Sequence, residues 1–149
     1  MIKKIFNKIF NKNEDVNTIS FKQGMDLTDL PVITLYQGKK KFNLLLDTGS
    51  SDNIIDSNII KSIKHEPIET KSNLFGLEGN KVTVSMCKIT LSYMDKDYEY
   101  EYLITDMKQA FTEIKQSTGV NLHGIIGSKF FNAYKYVLDF DKLIAYSKK

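Results

Sequence analysis

From Pro31 onward, short apolar runs recur along the chain and are separated by Gly, Asn, Asp and Lys. Several of them alternate apolar with polar residues, which is the pattern of a half-buried strand. The pattern predicts strands at 32–36, 42–46, 53–55, 81–93, 98–104, 124–127, 136–140 and 143–146. Because many short strands joined by tight turns favour a barrel or a sandwich, the predicted fold class is all-β.

Two segments have helical spacing instead. Residues 107–117 place apolar side chains on one face, and Gly119 supplies a C-terminal stop. Ser128 is an N-cap candidate for a short helix that ends at Tyr134. A helical turn is also predicted near residues 57–62. We therefore expect one or two short helices beside the strands.

The first thirty residues differ from the rest. Residues 1–12 carry Ile and Phe at helical spacing with lysines opposite, which predicts an amphipathic helix. Such a helix can touch a membrane surface or pack on its own domain, and the second interpretation is favoured. Residues 13–30 are polar and mixed, which predicts a linker or a removable leader. The expected division is a leader at 1–30 and one folded domain at 31–149.

The composition narrows the function. At 149 residues with 42% hydrophobic and 26% charged content, the chain fits one globular domain. Cys87 is the single cysteine, which excludes an intrachain disulfide and favours a cytoplasmic location; we expect it to be a buried small hydrophobe. With only His65 and His123 beside it, no metal site and no cofactor are predicted. All 21 basic residues are lysines spread along the chain, so no nucleic-acid partner is expected.

A carboxylate directly follows one of the apolar strand patterns. Three leucines lead into Asp47, and Thr48 and Gly49 come next. A tight turn at this point presents the carboxylate at the end of a buried strand, and glycine allows backbone angles that other residues avoid. Three further features accompany the triplet: the hairpin that begins at Pro31, an Ile-Ile pair at 54–55, and a second apolar-glycine segment at 123–131.

Taken together, these segments resemble the retropepsin-like aspartic proteases, which include the retroviral proteases and their bacterial relatives. The resemblance runs from residue 31 to 146 through PVITLYQGKKKFNLLLDTGSSDNII, SNLFGLEGNKVTVSM and HGIIGSKFF, in the order of the family. The closing LDFDKLIAYS looks more like the bacterial relatives. The resemblance implies an acid-protease barrel with one Asp-Thr-Gly lobe per chain and aspartic endopeptidase activity.

The same resemblance implies a set of site residues. Asp47, Thr48 and Gly49 would be the catalytic motif. An extended peptide or protein substrate would be held by a flap and by pocket walls, which correspond to Leu45, Ser50, Asp52, Ile54, Phe75, Gly76, Leu77, Glu78, Gly79, His123 and Ile125. For Leu45 and Ile54, an ordinary core position remains an open alternative. His65 and His123 are more consistent with structural or surface positions than with catalysis.

The chain also departs from the family. Retroviral members carry an Arg after the second glycine of the late motif, paired with an Asp two residues beyond the triplet. Those positions are Ser128 and Ser51 here, so both charges are missing together and neither is left unpaired. Ser50 offers a hydroxyl that we expect to donate to Asp47 and favour its charged form.

Only one Asp-Thr-Gly is present, because Ser117-Thr118-Gly119 lacks the carboxylate. Aspartic proteolysis needs two carboxylates that share one proton. The sequence therefore predicts a two-fold homodimer in which each chain supplies its Asp47. The alternative is a non-catalytic dimeric peptide-binding module with the same fold, since fold alone does not establish activity.

Overall fold

A computed structural model of the chain describes residues 17–75 and 81–147, without the side chains of 70–75 and 81–83. The amphipathic helix predicted at 1–12 therefore lies outside the described residues. The strands are β1 (Thr18–Ser20), β2 (Val32–Gln37), β3 (Lys40–Leu46), β4 (Asn53–Asp56), β5 (Glu66–Phe75), β6 (Lys81–Tyr93), β7 (Lys96–Thr105), β8 (Gly124–Ile126), β9 (Tyr136–Asp139) and β10 (Ile144–Ser147). The helices are α1 (Lys22–Thr28), a 3-10 helix (Ser57–Ser62), α2 (Lys108–Thr118) and α3 (Ser128–Tyr134).

Six strands close into a barrel in the order β2-β3-β8-β4-β7-β6, which confirms the all-β barrel class. The barrel closes where Tyr36 of β2 pairs with Ser92 of β6. Most neighbours are antiparallel, but β3 pairs with β8 and β4 pairs with β7 in parallel. Strand β5 extends the sheet beyond β6 and forms its edge. Closure leaves few unpaired backbone groups within the barrel itself.

Alternate positions of the barrel strands point into one core. On β3, for example, Leu44 and Leu46 are buried inside, while Leu45 points to the opposite face and joins a second apolar cluster. The two faces of one strand thus serve two different packing layers. The sequence pattern of continuous leucines is explained by this burial on both sides.

Residues 17–30 do not form the predicted linker. Strand β1 pairs with β10, and β10 pairs with β9, giving a separate three-stranded sheet in the order β1-β10-β9. Ile19 and Phe21 are 2% and 1% exposed and belong to the main core. Helix α1 approaches β2 so closely that a Cβ at Gly24 would lie 2.3 Å from the Val32 carbonyl oxygen. The sequence did not predict these elements, because the segment is mostly polar and its few apolar residues pack against parts of the chain that are distant in sequence.

The other helix predictions hold, with one change. Helix α2 ends at Thr118, and Gly119 follows with φ at 79°, which is the left-handed stop expected of a glycine. Helix α3 has the predicted extent, but Ser128 is its first residue and does not cap it. Within the described ranges, no helix has the length and apolar character needed to span a membrane.

Cys87 is completely buried in β6, as predicted, and burial raises the pKa of its thiol to about 11. We expect the folded protein to resist a thiol-reactive dye at pH 8, because only the thiolate is nucleophilic and the sulfur is shielded from solvent. In denaturing urea, one thiol per chain should react at the rate of a free cysteine. Rapid labelling of the folded protein would show that β6 opens readily, contrary to this prediction.

Candidate active site

Asp47 lies at the point where β3 leaves the barrel beside β8. Its backbone N–H donates to the Ile126 carbonyl oxygen at 2.9 Å, which continues the parallel β3–β8 pairing by one residue. The carboxylate is partly exposed, and its Oδ1 accepts a hydrogen bond from the Gly49 N–H at 2.9 Å. The strand end therefore fixes the backbone of Asp47 and leaves its side chain accessible.

Gly49 is needed for a different reason from the one predicted. Its φ is not in the left-handed region, so unusual backbone angles are not required. A Cβ at this position would lie 3.1 Å from Asp47 Oδ1, against the oxygen that accepts the Gly49 N–H. The absent side chain gives the carboxylate room to turn back onto the loop. Thr48 and Gly49 are both exposed.

The hydroxyl of Ser50 does not donate to the Asp47 carboxylate, contrary to expectation. Ser50 Oγ donates to the Asp52 carbonyl oxygen at 2.8 Å, and the Ser50 N–H donates to the Asp47 carbonyl oxygen at 3.1 Å. Both bonds tighten the turn after the triplet. The Ser50 hydroxyl therefore stabilises the loop backbone and makes no hydrogen bond to the Asp47 carboxylate.

The start of α3 braces the same loop from the other side. The Ser128 N–H donates to the Ser50 carbonyl oxygen at 2.8 Å, and the Lys129 N–H donates to the Ser51 carbonyl oxygen at 3.0 Å. These N–H groups belong to the first turn of a helix, where they have no intrahelical acceptor. The first N–H groups of α3 therefore find their hydrogen-bond acceptors in the loop, and two consecutive loop residues are bound to the helix.

Asn53 is a site residue that the sequence analysis missed. It is 0% exposed, and its Oδ1 accepts the Gly127 N–H at 2.8 Å. A Cβ on Gly127 would lie 2.5 Å from the Asp52 carbonyl oxygen, so the two backbones touch here. The available signal was a polar residue at the start of an apolar strand, because a buried amide must find hydrogen-bond partners.

Asp52 and Lys129 form an ion pair across the same junction. Lys129 Nζ lies 2.8 Å from Asp52 Oδ1, and the hydrogen bond from the ammonium to this carboxylate raises the pKa of Lys129. The sequence analysis found no charges at Ser51 and Ser128, and the observed ion pair lies one residue later in each of these two segments. Asp52 was expected to contact substrate, but its carboxylate forms this ion pair within the chain. Asp52 and Lys129 also line a cavity of about 450 Å³ beside β6 and β7.

We expect Lys129→Met to lower the free energy of unfolding by less than about 1 kcal/mol, because the lysine is largely exposed and such pairs contribute little. Urea unfolding at pH 7 measures the change. The matched control is Lys22→Met, which breaks the exposed Lys22–Asp26 pair on α1. A loss several times larger than that of the control would mean that the pair anchors the fold and not only the loop.

Three of the predicted pocket walls are adjacent in space. Leu45 pairs with Ile125, and Ile125 pairs with Ile54, so the three side chains form one row across β3, β8 and β4. In the single chain, however, Ile54 and Ile125 are 6% and 7% exposed, and they share a cluster with Phe111 of α2. Leu45 is half-buried. Ile54 is therefore an ordinary core residue in the single chain, which was the alternative to a pocket wall, because α2 covers this face of the barrel.

His123 is not brought beside Asp47. It precedes β8 and pairs with Asn43: its N–H donates to the Asn43 carbonyl oxygen at 2.8 Å, and its Nδ1 accepts the Asn43 N–H at 2.9 Å. Four residues of strand separate the levels of Asn43 and Asp47, roughly 13 Å at the usual rise. The ring packs edge-on against Phe42, and burial lowers the pKa of the imidazole. These contacts give His123 a structural role.

The predicted flap corresponds to the β5–β6 hairpin. The two strands pair in antiparallel fashion up to Phe75 and Lys81, with an irregularity between Ile68 and Ser72. Gly76, Leu77, Glu78 and Gly79 lie outside the described residues, and so does the side chain of Phe75. The hairpin itself is thus present, and its proposed contacts with substrate remain predictions.

Comparison with models of known protein families gave no match, and none of the curated proteins searched is similar to this chain. The arguments on function therefore rest on the geometry around Asp47.

Proposed function

We propose that the chain is one half of a homodimeric aspartic endopeptidase. The observation that carries this proposal is the setting of Asp47: an accessible carboxylate at a strand end, on a loop held by β8 and by the start of α3. A carboxylate that must lie within a few ångströms of the same carboxylate of a second chain needs a rigid backbone, because catalytic geometry tolerates little error.

The proposed chemistry uses two Asp47 side chains. Two carboxylates this close cannot both ionise, so the pair holds one proton and titrates as a unit. The ionised carboxylate accepts a proton from a water molecule, whose oxygen then bonds to the peptide carbonyl carbon, while the protonated carboxyl donates to the carbonyl oxygen. Collapse of the resulting diol breaks the C–N bond as a proton passes to the leaving nitrogen.

The proposed substrate is an extended peptide segment. The β5–β6 hairpin forms the sheet edge on one side, and a sheet edge can accept an extended peptide as an added strand. Main-chain pairing of this kind recognises backbone rather than particular side chains. Unfolded or flexible protein segments therefore fit the site better than compact folded domains.

The test is incubation with a denatured protein at pH values from 3 to 8, with and without pepstatin, which mimics the diol intermediate. We expect cleavage that pepstatin suppresses. Absence of cleavage at every pH, together with retained binding of unfolded peptide, would instead support the non-catalytic peptide-binding module. Cleavage that pepstatin leaves unchanged would contradict the aspartic mechanism.

A further inference from the structure

Asn53 is a buried polar residue, and only one end of its amide is hydrogen-bonded. The residue is 0% exposed, and its Oδ1 accepts the Gly127 N–H at 2.8 Å. In the part of the chain that the structure describes, its Nδ2 has no hydrogen-bond acceptor. A buried amide donor without an acceptor lowers stability, and an apolar residue of similar size would avoid that loss. The bond to Gly127 is therefore the interaction that accounts for an asparagine at this position.

The neighbours of Asn53 define the orientation of its amide. Asn53 begins β4 and pairs in parallel register with Tyr102 of β7, which is 1% exposed. Burial raises the pKa of the Tyr102 hydroxyl, and the Asn53 side chain beside it opposes this rise. Because a backbone N–H can only donate, the end of the amide that faces Gly127 must be the oxygen.

The Gly127 N–H and the Ile126 carbonyl belong to one peptide group. The N–H donates to Asn53 Oδ1, and the carbonyl oxygen accepts the Asp47 N–H at 2.9 Å. The two ends of this group move together because a peptide is planar, and hydrogen bonds at both ends strengthen each other. Asn53 is thereby linked to the backbone of Asp47 through a single rigid group.

We propose that Asn53 is a positioning residue that holds Asp47 in place through the Ile126–Gly127 peptide. The kinetic consequence of this inference rests on the proposed function, since a catalytic carboxylate must be placed accurately. The same peptide directly precedes α3, whose first N–H groups bind two carbonyl oxygens of the Asp47 loop. When the Asn53 acceptor is lost, the peptide is free to rotate, and the contacts on both sides of it loosen.

Amide hydrogen exchange, followed by NMR, tests this link without any need for activity. Asn53→Leu keeps the size of the side chain and removes the acceptor. We expect the Asp47 N–H to exchange about tenfold faster, or more, than in core variants of equal stability, because local opening then exposes it. Those controls are Ile89→Val and Ile89→Ala, chosen to bracket the urea midpoint of Asn53→Leu from a buried position on β6.

A second variant covers the case in which Asn53→Leu does not fold. Asn53→Ser introduces no bulk, and its hydroxyl ends one bond short of the position of Oδ1, so it does not reach the Gly127 N–H. We expect it to speed exchange at Asp47 in the same way. Far-UV circular dichroism of each variant verifies that the fold is retained.

The kinetics of peptide cleavage give the second measurement. In Asn53→Leu we expect kcat to fall about tenfold or more while KM stays within about threefold of wild type, because substrate binding is retained. The bell-shaped pH dependence of kcat/KM should also become narrower. Two carboxylates that are held less closely interact less, so their two apparent pKa values move together. A variant that is only less stable, such as Ile89→Ala, should keep the width of the bell.

The two measurements separate this inference from the proposed function. Exchange at Asp47 that is no faster in Asn53→Leu than in the Ile89 controls would overturn the positioning role at any level of activity. Faster exchange with an unchanged kcat and an unchanged pH profile would overturn it as well, and the hydrolase would stand. Faster exchange in a protein whose wild type never cleaves peptide supports the link from Asn53 to Asp47 and contradicts the hydrolase.

Discussion

Asp47→Asn is expected to abolish peptide cleavage, with kcat/KM reduced by at least about 10²- to 10⁴-fold, the range typical of lost acid–base catalysis. The amide cannot hold the shared proton or accept a proton from water. Fold and stability should be nearly unchanged, because the side-chain oxygen of Asn can still accept the Gly49 N–H. The measurement is the rate of cleavage of a denatured protein, with urea unfolding as the stability check. The matched control is Asp97→Asn, an exposed carboxylate on β7.

Mixing the variant with wild type makes the same experiment a test of shared catalysis. If chains exchange freely, equal amounts leave about one quarter of the dimers with two Asp47 carboxylates. Activity per wild-type chain should therefore fall by about half, although no wild-type chain is removed. Activity that follows only the amount of wild-type chain would show that one Asp47 suffices, and the dimeric mechanism would be wrong.

Gly127→Ala is expected to have the largest effect on stability among single changes near the site. The added Cβ would lie 2.5 Å from the Asp52 carbonyl oxygen and 2.7 Å from the Ser50 carbonyl oxygen, and backbone cannot move aside as a flexible side chain can. The loop must then separate from α3, which breaks the bonds from the Ser128 and Lys129 N–H groups. We expect a loss of roughly 1–3 kcal/mol, as for other overpacked sites. Cleavage should fall further than stability alone explains.

The control for this variant is Gly38→Asn in the β2–β3 turn. Gly38 has a φ of 61° and open space around it, and asparagine tolerates this conformation. Its urea midpoint should stay close to that of wild type. Equal midpoints for Gly127→Ala and Gly38→Asn would contradict the close contact between the Asp47 loop and α3.

Local signals were sufficient for much of the barrel. The β2–β3 hairpin follows from a strand pattern around Gly38, α2 ends at Gly119, and the 3-10 helix occupies the predicted residues 57–62. Each of these elements is specified by residues that are close together in sequence. The position of Asp47 at a strand end was predictable for the same reason, since apolar residues lead directly into it.

Contacts between distant segments were not predictable in this way. Strand β1 is an element only because it pairs with β10, more than 120 residues later. The Asn53 bond to Gly127 and the Asp52–Lys129 pair both join positions more than 70 residues apart. Nothing near Asn53 or Lys129 in the sequence indicates which distant residue each of them contacts, so neither residue was recognised as part of the site.

The sequence by itself determined the strands of the barrel and the single Asp-Thr-Gly turn that presents one carboxylate, because hydrophobic alternation and turn residues act over a few positions. The tertiary structure decided how Ser50 points, that Ile54 and Ile125 are covered by α2, and that the Asp47 loop rests on α3. Those outcomes depend on which surfaces meet when the barrel closes, and on which backbone groups must then find partners out of reach of water.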